Sequence, residues 1–346
     1  MAYTTINKPT DNFNTKLYTG TGATNAITGV GFQPDFVWTK RRDSTSGHHV
    51  HNSISGATKY IFPNDTAAES TDANKLASFD SDGFTVGTNG DANASGGTFA
   101  SWNFKGGGTG VSNTDGSTNT VVSANTTSGF SIVTYSGNST AGSTFGHGLG
   151  VKPSMIITKA RTRASMWNVY HKGLTNYTKG IYLNATDAEF AGGAFADGEP
   201  NANTFTLSNG THVNGSGETY VAYCFAEKQG YSKFGSYTGN GNADGTFVYT
   251  GFKPAWIMIK NASSSSEEWN IWDNKRNTFN VMTTRLVANI NAADSVTSAG
   301  FFDFTSNGFK IRSTANGVNQ SGSNLIYMAF AEAPLVGTNG VTAKAR

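Results

Sequence analysis

The sequence predicts an all-β protein made of three tandem β-sandwich domains with jelly-roll-like topology, each of about 100 residues and built on one repeated unit. Composition supports this fold class, because only 14% of the residues are charged, 42 of 346 are Gly, and Val, Ile and aromatic residues form short clusters. Such residues suit pleated strands, while Gly and Asn suit positive-φ turns. The repeat is also too long for a solenoid, whose repeats run roughly 20 to 50 residues.

Each copy of the repeat opens with an aromatic residue and a glycine, followed by a Gly-x-x-Pro turn and a strand that ends in a lysine. The turn and strand read GFQPDFVWTK (31–40), GVKPSMIITK (150–159) and GFKPAWIMIK (251–260). A second strand follows as HHVHN (48–52), WNVYH (167–171) and WNIWD (269–273). A polar turn then leads to an acid at Glu69, Glu189 and Asp294. Each copy closes on Ser-Gly and an apolar strand whose last residue, nine positions after the serine, is Phe104, Phe225 or Phe330.

These anchors divide the chain into an arm, three repeats and a tail. The predicted boundaries are 1–12 for the N-terminal arm, 13–105 for repeat 1, 106–129 for a linker, 130–229 for repeat 2, 230–333 for repeat 3 and 334–346 for the C-terminal tail. The linker has the Gly/Ser/Thr-rich composition of a flexible connection, although its TVVSA segment (120–124) alternatively adds an edge strand to a neighbour. Independent sandwiches are expected, with repeats 2 and 3 packed together. One or both ends are expected to dock on neighbouring subunits, because unanchored termini are normally disordered.

The closing strand of repeat 2 is expected at the centre of its sheet. Both alternating faces of YVAYCF (220–225) are apolar, which predicts cover on both sides. Cys224 on this strand is the only cysteine, so an intrachain disulfide and a thiolate metal cluster are excluded. It is predicted to be a buried, inert thiol.

Neither the charge nor the hydropathy of the sequence indicates a nucleic-acid or membrane partner. The net charge is only +2, and no apolar stretch approaches the roughly 18 residues of a membrane span. The N-terminal segment lacks the layout of a secretory signal. The chain is therefore expected to be soluble and made in a cytoplasm, without a signal peptide.

The most metal-like stretch is HHVH (48–51). His49 and His51 share one face of a strand, but no third or fourth ligand is indicated by spacing. His48 and His51 stand where the other repeats have aromatic residues. A bulky, flat structural side chain is therefore the favoured interpretation, and incidental metal binding is the alternative.

Other charged residues that recur or cluster are also interpreted structurally. Glu69, Glu189 and Asp294 are predicted to be turn or capping groups rather than catalytic carboxylates. Glu267 and Glu268 lie in a Ser-rich loop that is predicted to be solvated, where nothing separates their pKa values. Lys40, Lys159 and Lys260 recur at strand ends, which predicts stems on apolar surface and ammonium groups in water, protecting sheet edges.

The tryptophans are placed mostly toward cores by strand alternation, and only if exposed would they form a sugar-stacking platform. They are Trp38, Trp102, Trp167, Trp256, Trp269 and Trp272. No catalytic elbow or phosphate loop is recognisable, so we predict no enzyme activity, no cofactor, and no catalytic, cofactor-binding or metal residue. The loops after the lysines diverge, as RRDSTSG (41–47), ARTRAS (160–165) and NASSSSEE (261–268). A shared scaffold with divergent loops is typical of binding modules.

Several of these blocks also point to a known family. They are NTKLYTGTG (14–22), GFQPDFVWTKRR (31–42), NGSGETYVAYCFAE (214–227), and FGSYTGNG (234–241) followed by GFKPAWIMIK. With them the chain resembles a family of repeated β-rich domains in virion proteins of marine bacteriophages, labelled as tail fibre or uncharacterised structural proteins. The matched blocks frame residues 13–332, and repeat 1 departs from the pattern by having His48 where the others have tryptophan. The resemblance implies a structural, non-enzymatic virion component and carries over no catalytic or ligand residue.

The expected function is that of a bacteriophage tail fibre or appendage protein, located in the virion and acting in assembly and host-surface attachment. Expected partners are other virion proteins, copies of the chain itself in a homo-oligomer, and a host surface glycan or protein. A capsid decoration protein is one alternative. A carbohydrate-binding module or a glycan depolymerase is the other.

Overall fold

The computed structural model describes residues 3–337, 340 and 342. It confirms the all-β prediction, with 42% strand and 4% helix. Among the described residues, no helix combines the length and apolar character that a transmembrane span requires.

Repeat 1 packs a four-stranded sheet against a three-stranded sheet. A short 3₁₀ helix at Pro9–Asp11 precedes it. Its elements are β1 (Phe13–Thr19), β2 (Asn25–Thr28), β3 (Phe36–Arg41), β4 (His49–Asn52), β5 (Lys59–Tyr60), β6 (Ser70–Thr71), β7 (Leu76–Asp80), β8 (Gly83–Val86), α1 (Gly90–Asn93) and β9 (Thr98–Phe104). The large sheet has the order β1-β9-β3-β4, the small sheet is β2-β8-β7, and β5 pairs with β6.

Repeat 2 has the largest sheet, with eight strands. The elements from residue 111 onward are β10 (Val111–Asn113), β11 (Thr120–Asn125), β12 (Phe130–Ser136), β13 (Ser143–Gly146), β14 (Met155–Ala160), β15 (Asn168–His171), β16 (Lys179–Tyr182), β17 (Phe190–Ala191), β18 (Thr204–Leu207), α2 (Thr211–Asn214) and β19 (Thr219–Phe225). The sheet order is β10-β11-β12-β19-β14-β15-β16-β17, and β13 pairs with β18.

Repeat 3 has a six-stranded and a three-stranded sheet. Its elements are β20 (Ser232–Thr238), β21 (Phe247–Tyr249), β22 (Phe252–Asn261), β23 (Asn270–Asp273), β24 (Thr284–Val287), β25 (Ser295–Val296), β26 (Phe302–Thr305), β27 (Gly308–Ile311), α3 (Asn316–Asn319) and β28 (Asn324–Pro334). The sheets are β20-β28-β22-β23-β24-β25 and β21-β27-β26.

Each large sheet contains the same four-strand arrangement in the same order. The orders β1-β9-β3-β4, β12-β19-β14-β15 and β20-β28-β22-β23 place the closing strand of each repeat beside both its first strand and its lysine strand. The closing strand of repeat 2 is central, as predicted. Tyr220, Ala222 and Cys224 face the small sheet of that repeat. Its other face is also buried, through Val221, Tyr223 and Phe225.

The three sandwiches are not independent, which corrects the prediction of separate tandem domains. Each repeat has its own core between its two sheets, but the opposite faces of the three large sheets meet in one shared core. At its centre the closing phenylalanines form a triangle, with ring centroids 5.7 Å apart for Phe104 and Phe225, 5.0 Å for Phe104 and Phe330, and 6.3 Å for Phe225 and Phe330. The three repeats are therefore arranged around a common centre, each contacting the other two. The exact domain boundaries remain a prediction.

Segment 106–129 is not the flexible linker that its composition suggested. Residues 120–125 form β11, which pairs with β12 along its whole length, so the segment adds a strand to the neighbouring sheet, as the alternative prediction held. The edge position belongs to β10, which pairs with the other side of β11. Gly106 is held by Asp35 of repeat 1, whose Oδ2 accepts the Gly106 N–H at 2.8 Å. The segment thus ties repeat 1 to the sheet of repeat 2.

The N-terminal arm docks on its own chain rather than on a neighbouring subunit, which corrects that expectation for residues 3–12. The Tyr3 hydroxyl donates to the Gly251 carbonyl at 2.7 Å, and the Thr4 hydroxyl donates to the Gln229 carbonyl at 2.6 Å. Ile6 is 4% exposed and belongs to the shared core. In the predicted tail, residues 338, 339, 341 and 343–346 lie outside the described residues, as do residues 1 and 2 of the arm.

Candidate functional site

Most side chains singled out from the sequence lie at three seams, the contacts between repeats 1 and 2 (first seam), 2 and 3 (second seam), and 3 and 1 (third seam). The tryptophan that opens the second strand makes the same bond at two of them. Trp167 Nε1 donates to the Phe62 carbonyl at 2.9 Å across the first seam. Trp269 Nε1 donates to the Tyr182 carbonyl at 2.8 Å across the second. Each indole satisfies its buried N–H on the preceding repeat.

His48 makes the equivalent bond at the third seam. Its Nδ1 accepts the indole N–H of Trp38 at 2.9 Å, so the ring proton is on Nε2. Nε2 donates to the Val287 carbonyl at 3.0 Å. Burial lowers the pKa of His48 to about 3, which keeps the ring neutral. The imidazole therefore takes the structural role that tryptophan has in the other repeats.

His49 and His51 lie on the face of β4 opposite His48 and hold protein groups. His49 Nε2 accepts a hydrogen bond from Lys75 Nζ at 2.7 Å, and His51 Nδ1 donates to the Ala57 carbonyl at 2.8 Å. Burial lowers the pKa of both rings, that of His51 to about 4. Among the described residues, no group of three or more His, Cys, Asp or Glu side chains is placed to bind a metal ion.

The recurring lysines are buried, which corrects the prediction that their ammonium groups stay in water. Lys40, Lys159 and Lys260 are all 0% exposed, and burial lowers the pKa of each to about 8. Their ammonium groups donate to backbone carbonyls, two of them across a seam. The acceptors in the preceding repeat are Thr66 for Lys159, at 3.2 Å, and Thr186 for Lys260, at 2.9 Å.

The same lysines organise the divergent loops. Lys40 Nζ also donates to the Ser44 carbonyl at 3.1 Å, Lys159 Nζ to Ser165 Oγ at 3.2 Å, and Lys260 Nζ to the Glu267 carbonyl at 2.6 Å. Each loop is thereby closed around an ammonium group. The loop with Glu267 is not simply solvated, because Glu267 and Glu268 are both partly buried. This burial raises the pKa of the Glu267 carboxyl.

The recurring acids bridge seams, so the prediction of local turn or capping groups is wrong for two of the three. The backbone N–H of each acid donates to the next repeat around the centre, at distances of 2.7 to 2.8 Å, with the pairs Glu69–Arg161, Glu189–Ala262 and Asp294–Arg42. The guanidinium of Arg161 also holds Glu69 through two bonds of 2.8 and 2.9 Å. Arg42 Nε donates to Asp294 at 2.8 Å. Glu189 faces Ala262 instead and caps the Thr175 N–H at 2.9 Å.

The backbone and side-chain bonds at the three seams join all three repeats into one body. A family model for a domain of unknown function, DUF7483, matches residues 8–334 as a single unit. The chain belongs to the DUF7483 family. The match spans all three repeats, which the shared core joins. The chain matches no curated protein and no solved structure.

The third seam of this DUF7483 chain contains a buried ionic cluster that the sequence did not reveal. The Arg276 side chain is fully buried; its Nε donates to Asp273 at 2.6 Å and its NH1 to Asp294 at 3.0 Å. Asp273 also accepts the indole N–H of Trp102 in repeat 1 at 3.2 Å. The only sequence signal was that Arg276 stands where repeat 2 has the buried apolar residue Leu174.

The remaining candidates are core residues. The six tryptophans are at most 5% exposed, so they form no sugar-stacking platform on the surface of the DUF7483 fold. Cys224 is fully buried, and burial raises the pKa of its thiol, as expected for an inert cysteine. The accessible parts of this molecule are its loops and clefts.

Proposed function

We propose that this chain is a structural component of a bacteriophage particle, part of a tail fibre or appendage, that acts in assembly and in attachment to the host surface. The observation that carries the proposal is the contrast between the seams and the loops. The seam bonds recur from repeat to repeat, whereas the three loops closed around the lysines differ in charge and size. Such a scaffold holds variable surface rigidly.

The mechanism is non-covalent. A body that is held at three seams gives its loops fixed relative positions, which lowers the entropy cost of binding. Many copies on one particle then convert weak individual contacts into strong attachment. The partners in this proposal are other virion proteins, further copies of the chain and a molecule of the host surface.

Imaging of intact particles tests the proposal. We expect mass spectrometry to detect the chain in purified particles, and electron cryomicroscopy to place its three-lobed body on a tail appendage. Density on the capsid surface would favour the decoration role instead. Absence of the chain from purified particles would overturn the proposal.

A further inference from the structure

A cleft of about 360 Å³ lies where the N-terminal arm crosses repeat 3. Three segments line it: Tyr3 from the arm, residues 227–233 from the connection between repeats 2 and 3, and residues 249–251 after β21. A volume of this size falls in the range of small-molecule sites. Tyr3 of the docked arm thus forms part of the lining of the cleft.

One wall of the cleft is aromatic and accessible. The side chain of Tyr249 is 53% exposed, so much of its surface is open to solvent. The Tyr3 hydroxyl is anchored on the Gly251 carbonyl, and the hydroxyls of Tyr3 and Tyr249 both lie against Gly251. Burial and the contact with Tyr249 raise the pKa of Tyr3 to about 12, so this hydroxyl stays neutral.

The aromatic wall is specific to repeat 3. Tyr249 pairs with Gly308 on β27, and the corresponding pairing position in repeat 1 is Thr28, opposite Gly83. The matching residue in repeat 2 is Gly146. A tyrosine is therefore not required by the fold at this position, and its half-exposed ring costs solvation that a threonine would avoid.

The other wall is polar and charged. The Glu227 carboxylate accepts hydrogen bonds from Lys233 Nζ at 2.6 Å and from Lys172 Nζ at 2.5 Å. These three side chains are 26% to 38% exposed and carry a net charge of +1. Gln229 is exposed at the rim. Glu227, Gln229 and Lys233 line the cleft, whereas Lys172 contacts Glu227 from outside it. The wall thus offers a carboxylate acceptor, an ammonium donor and an amide, all within reach of solvent.

We propose that this cleft binds a saccharide. The apolar face of a sugar ring would stack on Tyr249, while its hydroxyls would bond to Glu227, Gln229 and Lys233. An aromatic face beside charged and amide groups matches the two surfaces of a sugar, one apolar and one rich in hydroxyls. The inference specifies the class of host-surface molecule to which this chain would attach, and it rests on the proposed function in attachment.

Ligand-observed NMR on the full chain tests the site, with the methyl glycosides of glucose, galactose, mannose and glucuronic acid as probes. We expect binding of at least one glycoside with a dissociation constant of roughly 1 mM. Tyr249→Thr, which installs the residue of repeat 1, should weaken that binding about two- to tenfold. Gln229→Ala should weaken it by a similar factor.

Tyr177→Thr is the matched control, because Tyr177 is 39% exposed but lies outside the cleft. It should leave binding unchanged, and all three variants should keep the wild-type melting temperature. Binding that Tyr249→Thr does not alter would overturn the inference, as would the failure of wild type to bind any of the four probes. Either result leaves the localisation test of the virion role intact, since that test depends on the particle and not on the glycoside.

Discussion

Trp38 donates its indole N–H to Nδ1 of His48 at 2.9 Å, and this bond fixes the tautomer with which His48 reaches across the third seam. The other repeats distribute the volume differently. They place a tryptophan at the position of His48 and a smaller residue, Ile157 or Met258, at the position of Trp38. The pair in repeat 1 is thus a size exchange within one packed site.

This exchange predicts strong coupling between the two positions. His48→Trp alone should destabilise the protein by about 1 to 3 kcal/mol, because it overpacks the site beside Trp38. Trp38→Met alone should also destabilise it, because it leaves a cavity and an unpaired Nδ1. The double variant should lose less free energy of unfolding than the two single variants lose in total, as measured by denaturant unfolding. Simple additivity would contradict the exchange.

The buried cluster at the third seam should be sensitive to the loss of one partner. Arg276→Met leaves Asp273 buried without its cation, so we expect a loss of about 3 to 5 kcal/mol in the free energy of unfolding. Arg312→Met is the matched control, because Arg312 pairs with Asp303 while its side chain is 45% exposed. That change should have little effect. Equal effects of the two substitutions would argue against the structural importance of the cluster.

Acid should weaken the protein through its buried histidines. Burial lowers the pKa of His48 to about 3 and those of His51 and His171 to about 4, against about 6.5 in an unfolded chain. Between pH 6.5 and 4 the unfolded state therefore binds more protons, and stability falls as the pH is lowered. Each such histidine contributes up to about 1.4 kcal/mol per pH unit.

Unfolding measured between pH 7 and 4.5 checks this slope. The variant His171→Asn introduces the residue found at the corresponding position of repeat 1, Asn52. It should reduce the pH dependence of stability by the contribution of one proton. The asparagine side chain still offers a donor for the Tyr327 carbonyl. His212 is outside the buried set, so His212→Asn serves as the control and should leave the slope unchanged. A pH-independent stability over this range would contradict the burial of neutral imidazoles.

The shared core predicts that the three repeats unfold together. Phe104→Ala removes one corner of the central triangle and should cost about 3 to 5 kcal/mol while preserving a single calorimetric transition. Phe279→Ala is the control, because this ring is 77% exposed. Three separate transitions, or loss of stability confined to repeat 1, would show that the sandwiches are independent after all.

The sequence predicted those parts of the fold that depend on local alternation. The two apolar faces of residues 220–225 were enough to place that strand at the centre of its sheet. For residues 120–125 the composition predicted a flexible linker, because Gly, Ser and Thr surround the segment, but these residues form β11. A strand and a linker differ there only in whether partner strands are present, and β10 and β12 supply them.

The roles of the lysines and acids could not be predicted locally. A lysine at a strand end usually keeps its ammonium in water. The buried ammonium of Lys159 is bonded in part by the Thr66 carbonyl, which lies 93 positions away in the sequence. Glu69 likewise meets Arg161 across 92 positions. A pattern that recurs once per repeat indicates a common role but not the neighbour that supplies it. The Tyr3 cleft was missed for the same reason, since nothing in the arm indicates where it docks.

The bond between Arg42 and Asp294 joins residues that are 252 positions apart, so the first repeat completes its contacts only with the last. During synthesis, a nascent chain that has released repeats 1 and 2 still exposes the apolar faces that await the third. Until that repeat emerges, the same repeat from a neighbouring polypeptide has the chemistry to fill the gap. We therefore expect swapped dimers to be a characteristic assembly error of this architecture.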